Sequence, residues 1–230
     1  ERRRAGTLAA MSNTKRWVLL FCAGLLASCS SQPSDDFSHA DITRVKNLST
    51  EFAAPYAVKT AGPAAIDPRL LGPQKLPPGV TFDPAECGET AQQQNVPADV
   101  KGNMAALTAE GDGVRYVAIA LETSERVPVS TPSDKCTKVT FTGAGVRGLV
   151  EVVEAPQIEG VHTVGTHRVL QTVTAEGPRT GEIYNYVADF GTFIVIVTAN
   201  PLVQADRPVA HIDTGRARDL VARAVDLVKG

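Results

Sequence analysis

The chain has 230 residues, 43% of them hydrophobic, and a formal net charge of −2. Residues 1–28 hold Arg2, Arg3, Arg4, Lys15, Arg16 and Glu1, a net of +4, so residues 29–230 carry −6. An acidic remainder of about 200 residues, with no basic stripe, fits one domain with a sizeable core; it excludes nucleic acid as the expected partner and argues against electrostatic docking on anionic lipid headgroups.

The first segment reads as an export signal. Met11 precedes the small basic cluster of Lys15 and Arg16, and Trp17 to Ala27 is an uncharged, mostly apolar run of 11 residues. That run is too short for a spanning helix, which needs about 20 apolar residues, but suits a signal-peptide core ending in small residues. Leu26-Ala27-Ser28-Cys29 matches a bacterial lipobox. The expectation is cleavage before Cys29 and acylation of its thiol, two chains being what stable anchoring requires. Residues 1–10 precede the first Met and read as a start-site artefact or an extended basic region.

The expected organisation is therefore a signal peptide at 1–28, a lipidated cysteine and tether at 29–37, and a single domain at 38–230. The seven polar residues Ser30 to Asp36 span at most roughly 25 Å when extended, which would hold the domain near the bilayer.

Within the domain, Ser38 and Asp41 read as an approximate capping box. Ile42, Val45, Leu48 and Phe52 recur at helical spacing, so residues 39–53 are predicted to form an amphipathic helix that Pro55 ends. A passage with Pro63, Pro68, Pro73, Pro77, Pro78 and Pro84 reads as an ordered loop or lid, with Leu70, Leu71 and Leu76 to bury. Asp83-Pro84-Ala85-Glu86 starts a short helix carrying Cys87.

From about residue 104 the period changes to two. Hairpins are predicted for 104–110 with 114–122, 137–142 with 146–153, and 167–175 with 182–189. A last strand at 192–198 is apolar on both sides and should be central, covered on both faces. Asp213 to Lys229 is a closing helix with Ala217, Leu220, Val221, Ala224, Val225 and Val228 on one stripe and Asp219 and Arg223 paired on the polar side. The predicted fold is α+β: a twisted antiparallel sheet of six or seven strands in meander order, packed with an N-terminal and a C-terminal helix.

Of four cysteines, Cys22 leaves with the signal and Cys29 is lipidated. Cys87 and Cys136 remain, an even pair whose economical fate in an oxidising compartment is a disulfide; two free thiols are the alternative.

The order of lipobox, short tether, amphipathic helix, Pro-rich loop, Cys87, hairpins, Cys136, apolar strand and terminal helix resembles mycobacterial and other actinobacterial cell-envelope lipoproteins. Their domains resemble the extracellular sensor domains of actinobacterial Ser/Thr kinases. Those sensor domains usually carry two disulfides, where this chain can form one. The resemblance implies a twisted antiparallel sheet with helices and a cleft for a ligand, and assigns a role to no residue.

No motif identifies a reaction. His162 and His167 are the closest histidines; five apart, they would face opposite sides of a strand, and they read instead as solvated loop residues flanking a turn at Gly165. His39 and His211 stand alone, and no metal site is expected, since three or four ligands are needed. No Gly-x-Ser-x-Gly elbow occurs, and Cys87 as a thiol nucleophile is less economical than its disulfide. Gly143-Ala144-Gly145-Val146-Arg147-Gly148 fits a dinucleotide pattern, but strand-like residues follow it where a helix is required, so it reads as a hairpin turn. Asp35-Asp36 reads as solvated charge in the tether.

Tyr184 and Tyr186 share one face of a strand and are the candidate ligand-binding residues, with packing beneath the terminal helix as the alternative. The expected function is a non-enzymatic, membrane-anchored binding or sensor-like module on the extracytoplasmic face of the membrane. It would take a lipid-like or amphipathic small molecule or an envelope protein, without a cofactor. An envelope hydrolase with hidden catalytic groups and a structural surface protein are the alternatives.

Overall fold

A computed structural model describes residues 37–67, 76–92, 97, 99–203 and 208–230. The signal segment, Cys29, the tether to Asp36, and Leu70 and Leu71 of the Pro-rich passage lie outside the described residues.

The strands are β1 (Ala57–Ala65), β2 (Thr81–Asp83), β3 (Gly102–Gly111), β4 (Val114–Thr123), β5 (Lys138–Gly143), β6 (Val146–Val153), β7 (His162–Thr174), β8 (Gly177–Phe190) and β9 (Phe193–Pro201). They form one antiparallel sheet in the order β1-β3-β4-β9-β8-β7-β6-β5-β2. The sheet thus has nine strands rather than six or seven, and it is a meander only within β3–β4 and β5 through β9. The two meanders join where β9 returns beside β4.

The extra strands come from the Pro-rich passage, and both are edges. β1 is exposed at all but one position, and β2 is three residues long. An edge strand is held by backbone hydrogen bonds to one neighbour, so it needs no alternating side chains and leaves no period in the sequence. Pro63 sits at an irregularity between Ala61 and Ala64, on an edge where a missing N–H is tolerated.

The expected hairpins occur with turns that favour strand twist. Asp112-Gly113 has φ of 50° and 76°, and Ala144-Gly145 has 51° and 76°. Both central residues at positive φ match the type I′ loop, which suits Asp-Gly and strains alanine.

Two helices cover part of one face. The N-terminal segment is a 3-10 helix, Ile42–Glu51, capped by Asp41, whose carboxylate accepts from the Thr43 N–H at 2.8 Å, rather than an α-helix over 39–53 capped by Ser38. Its buried residues Ile42, Val45 and Leu48 recur every three positions, a spacing that aligns on one side only at three residues per turn. The C-terminal helix Thr214–Lys229 (α2, after the short α1, Gly88–Gln92) is capped by Asp213 and buries the six predicted stripe residues. With these pack Leu107, Ala118 and Ala120 of β3 and β4, Tyr186 and Phe190 of β8, and Val195 and Val197 of β9. Phe37, read as the last tether residue, sits against Phe190 with ring centroids 5.2 Å apart.

On the reverse face, Ile119, Leu121, Val187, Ile194 and Ile196 pack with Val127 and Val129 of the loop after β4. β9 is therefore covered on both sides, as its uninterrupted apolar run requires. Further along that face, Cys87 is disulfide-bonded to Cys136 with Cα atoms 5.4 Å apart, fastening the α1 segment over Val139 and Val150.

Candidate functional site

The helices do not cover the whole sheet. α2 packs on β9, β8 and β4, and the 3-10 helix on β3, β4 and β1. The remaining strands carry the same face onward beyond α2. Directly paired residues in antiparallel strands share a face, so the register defines three rows there. The first is Thr180, Gln171, Arg147, Thr142 and Thr81; the second is Glu182, Val169, Leu149, Thr140 and Asp83; the third is Tyr184, His167, Glu151 and Lys138.

The first row, with Val169, Leu149, Thr140 and Asp83 of the second, lines an open groove of about 470 Å³, within the range of small-molecule sites, which run from about 300 to 1,000 Å³. Its floor is the apolar pair Leu149 and Val169, and its polar wall is a hydrogen-bonded relay. Arg147 Nε donates to Gln171 Oε1 at 2.6 Å, and Gln171 Nε2 donates to Thr180 Oγ1 at 2.9 Å. Gly148 lets the strands close beneath the groove: a Cβ there would lie 2.0 Å from the Val169 carbonyl oxygen and 2.6 Å from the Phe141 ring. The glycine of the pseudo-dinucleotide pattern thus serves close packing within a strand, and the Gly143-Ala144-Gly145 stretch is the hairpin turn it was expected to be.

The third row is a fixed charge array. The rings of His167 and Tyr184 stack at 4.2 Å with 10° between planes. His167 Nδ1 lies 3.0 Å from Glu151 Oε1, and Nε2 lies 3.3 Å from Glu182 Oε2. Lys138 Nζ approaches Glu151 at 3.3 Å. The His167 hydrogen bond, followed by Lys138, holds the Glu151 carboxyl below its ordinary pKa against partial burial. Burial, reinforced by Glu182 and Glu151, raises the Tyr184 phenol. The two carboxylates bind opposite edges of the imidazole, so they orient the ring rather than converging with it on a common point. Among the described residues no group of three or more His, Cys, Asp or Glu side chains is placed to hold a metal ion.

His162 lies at the start of the same strand and on the reverse face. Its Nδ1 is 2.6 Å from Asp189 Oδ2, and its Nε2 is 2.7 Å from Thr131 Oγ1. Asp189 is almost fully buried, with 4% of its surface exposed, whereas Thr131 is exposed. The hydroxyl–imidazole–carboxylate order is that of a nucleophilic triad, and it also ties the loop after β4 to the sheet.

These positions correct the reading of both histidines. They stand within one strand, Gly165 lies in that strand and forms no turn, and each ring has a carboxylate partner. Spacing alone hid this, because the partners are 15 to 27 residues away and meet only through strand pairing. His211 and His39 are exposed, the latter through its carbonyl a hydrogen-bond acceptor for Arg44.

The two candidate tyrosines are separated. Tyr184 belongs to the third row at the margin of the groove, while Tyr186, 1% exposed, is core beneath α2. The residues that form the groove, above all Arg147, Leu149, Val169 and Gln171, left one signal in the sequence. In β6, alternate positions 147, 149 and 151 are basic, apolar and acidic, a mixed face unlike that of a fully covered strand.

Residues 41–229 match the family model described as a domain of unknown function, DUF5642. The chain belongs to the DUF5642 family. This DUF5642 chain is similar to the X-ray structure of an uncharacterized protein, the Rv0999 ortholog, from Mycobacterium smegmatis: 52% identity, TM-score 0.81, covering 85% of this chain and 100% of that one. The extracellular domain of PknH from Mycobacterium tuberculosis aligns over 81% of this chain and 91% of its own, at 11% identity and a TM-score of 0.35. No curated protein matches the DUF5642 chain. Among the described residues no helix is long and apolar enough to cross a membrane.

Proposed function

We propose that this protein is a lipid-anchored, non-enzymatic binding module of the cell envelope, attached through Cys29 and holding an amphipathic small molecule on its sheet. The observation that carries the reading is the groove: a concave strip of sheet left open beside α2, with an apolar floor and a pre-ordered polar wall. Such a combination buries a chain or ring while orienting a head group. The short tether from Cys29 to Phe37 keeps this surface within reach of lipids and membrane neighbours.

Native mass spectrometry of the purified protein tests the binding reading. The expected result is a co-purifying small molecule that is lost in Leu149→Asp, a substitution that places a charge on the floor. Binding that survives this change would place the ligand elsewhere. The anchor has its own test: radiolabelled palmitate should enter the wild-type protein and fail to enter Cys29→Ala.

One observation favours a second reading, an envelope hydrolase. Thr131, His162 and Asp189 are spaced as nucleophile, base and orienting acid, on the face opposite the groove. Covalent labelling of Thr131 by a fluorophosphonate, lost in His162→Ala, would support this reading; an unlabelled Thr131 would leave the three residues as a latch for the loop.

A further inference from the structure

We infer that the groove selects a single-chain anionic amphiphile, with a carboxylate or phosphate head on Arg147 and its chain along Leu149 and Val169. This rests on the reading of the groove as a binding site and names the class of molecule it takes.

Arg147 is the cation in the lining of the groove. Among the described residues, Arg115, Lys138, Arg179, Arg218 and Arg223 each face a carboxylate, and Arg168 is largely buried, donating to the Ala91 carbonyl on the reverse face. Arg147 is held by a neutral partner instead. Its Nε is bound by the Gln171 amide, whose own orientation is set by Thr180. The guanidinium is thereby aimed without being neutralised, and its terminal nitrogens keep the fork that pairs two oxygens of a carboxylate or phosphate. Although residues 38–230 carry a formal charge of −4, an oriented cation of this kind attracts an anion locally.

The spacing couples head to chain. Arg147 and Leu149 are two residues apart on one strand, as are Gln171 and Val169 on its neighbour, so the backbone positions of the two pairs lie about 7 Å apart along the strands. A molecule that spans that distance, charged at one end and apolar beyond, satisfies both. Asp83 also lines the groove, but on β2, two strands from Arg147 and about 10 Å across the sheet. That is close to the screening length at physiological salt, and its repulsion would act on a head group as a weak outer limit.

The test is isothermal titration of the protein with dodecyl phosphate below its micellar concentration, with dodecyl maltoside as the uncharged counterpart and inorganic phosphate as the bare anion. Dodecyl phosphate should bind the wild-type protein. Arg147→Gln should weaken it at least about tenfold, a loss of about 1.4 kcal/mol, and Arg147→Lys should restore part of it. Dodecyl maltoside should bind more weakly and equally to both proteins, and Asp83→Asn should not weaken dodecyl phosphate. Arg147 and Asp83 are exposed, so both variants should fold, which circular dichroism would verify.

Equal binding of dodecyl phosphate by the wild type and Arg147→Gln, or equal affinity for the uncharged amphiphile, would overturn the anion selectivity. If Leu149→Asp then abolished binding, the groove itself would stand as the site. Inorganic phosphate bound as tightly as dodecyl phosphate would overturn the role of the chain. No binding of either amphiphile to the wild type would overturn both this inference and the proposed function.

Discussion

At the scale of single residues, the side chains that hold this domain together lie apart from those that line the groove. Arg216 is a structural cation: its guanidinium lies over Phe52, Tyr56 and Tyr116, 5.0 to 5.7 Å from the ring centroids. It also donates to the Glu51 carbonyl at 2.8 Å, joining the start of α2 to the end of the 3-10 helix. Burial, then the neighbouring Tyr56, pushes the Tyr116 phenol up to about 12. A lysine retains the charge but not the planar stacking, so Arg216→Lys should lower stability by about 1–2 kcal/mol in urea denaturation. Ala144 lies in the opposite situation, since its φ of 51° costs a β-carbon energy that asparagine tolerates better. Ala144→Asn should raise stability by about 0.5–1 kcal/mol, and an unchanged midpoint would show the turn to be unstrained. Glu151 has a depressed pKa in the folded state, so its contribution is present above the ordinary value of 4.5 and is lost as pH falls through the lower folded value. Glu151→Gln should therefore be less stable than wild type at neutral pH by less than about 1 kcal/mol, because the pair is partly exposed. The two proteins should converge in acid.

At the scale of elements, the reverse face depends on a covalent staple where the helix face depends on packed helices. α1 has five residues and buries Gly88 and Ala91, with Cys87 in the turn just before it, and a helix of that length has no stability of its own. The Cys87–Cys136 bond, spanning 49 positions, holds it to the turn before β5. In the chain-entropy picture such a loop closure contributes roughly 4 kcal/mol. Dithiothreitol should lower the denaturation midpoint accordingly, with the loss reproduced by Cys87→Ser. Equal stability of the reduced and oxidised protein would mean that β2 and β5 hold the segment unaided. The 3-10 helix shows the converse dependence. Its ten residues exceed the usual run for that geometry, and they persist because Ile42, Val45 and Leu48 are fully committed to the sheet and α2.

At the scale of the whole molecule, protection should follow the sheet order. β4, β9 and residues 186–190 of β8 are buried on both sides, while β1 and β2 are edges with exposed side chains. Native-state hydrogen exchange should be slowest in the central three strands and fastest in β1 and β2; uniform protection would contradict a core centred on β9. The groove lies between these extremes, on strands whose pairing is complete but whose helix-side face is open to solvent. That placement combines a rigid backbone with an accessible surface, as a binding site requires.

Much of this architecture is legible in the residues, and for identifiable reasons. The stripe from Ala217 to Val228 specifies α2, because burial on one face imposes a period that no other structure satisfies. The continuous apolar run of β9 specifies a strand covered twice, and Asp-Gly and Gly-Ala-Gly specify hairpin turns through positive φ. What the sequence could not determine is what depends on pairing between distant segments. The edge strands β1 and β2 rely on backbone bonds that impose no side-chain period, so the Pro-rich passage reads as loop. The return of β9 to β4 splits one meander into two. The groove exists because α2 stops short of β7, and its rows form only when register sets Arg147 beside Gln171 and His167 between Glu151 and Glu182. Local periodicity reports which face of an element is buried; only the tertiary structure decided which face was left uncovered, and therefore where the proposed ligand would sit.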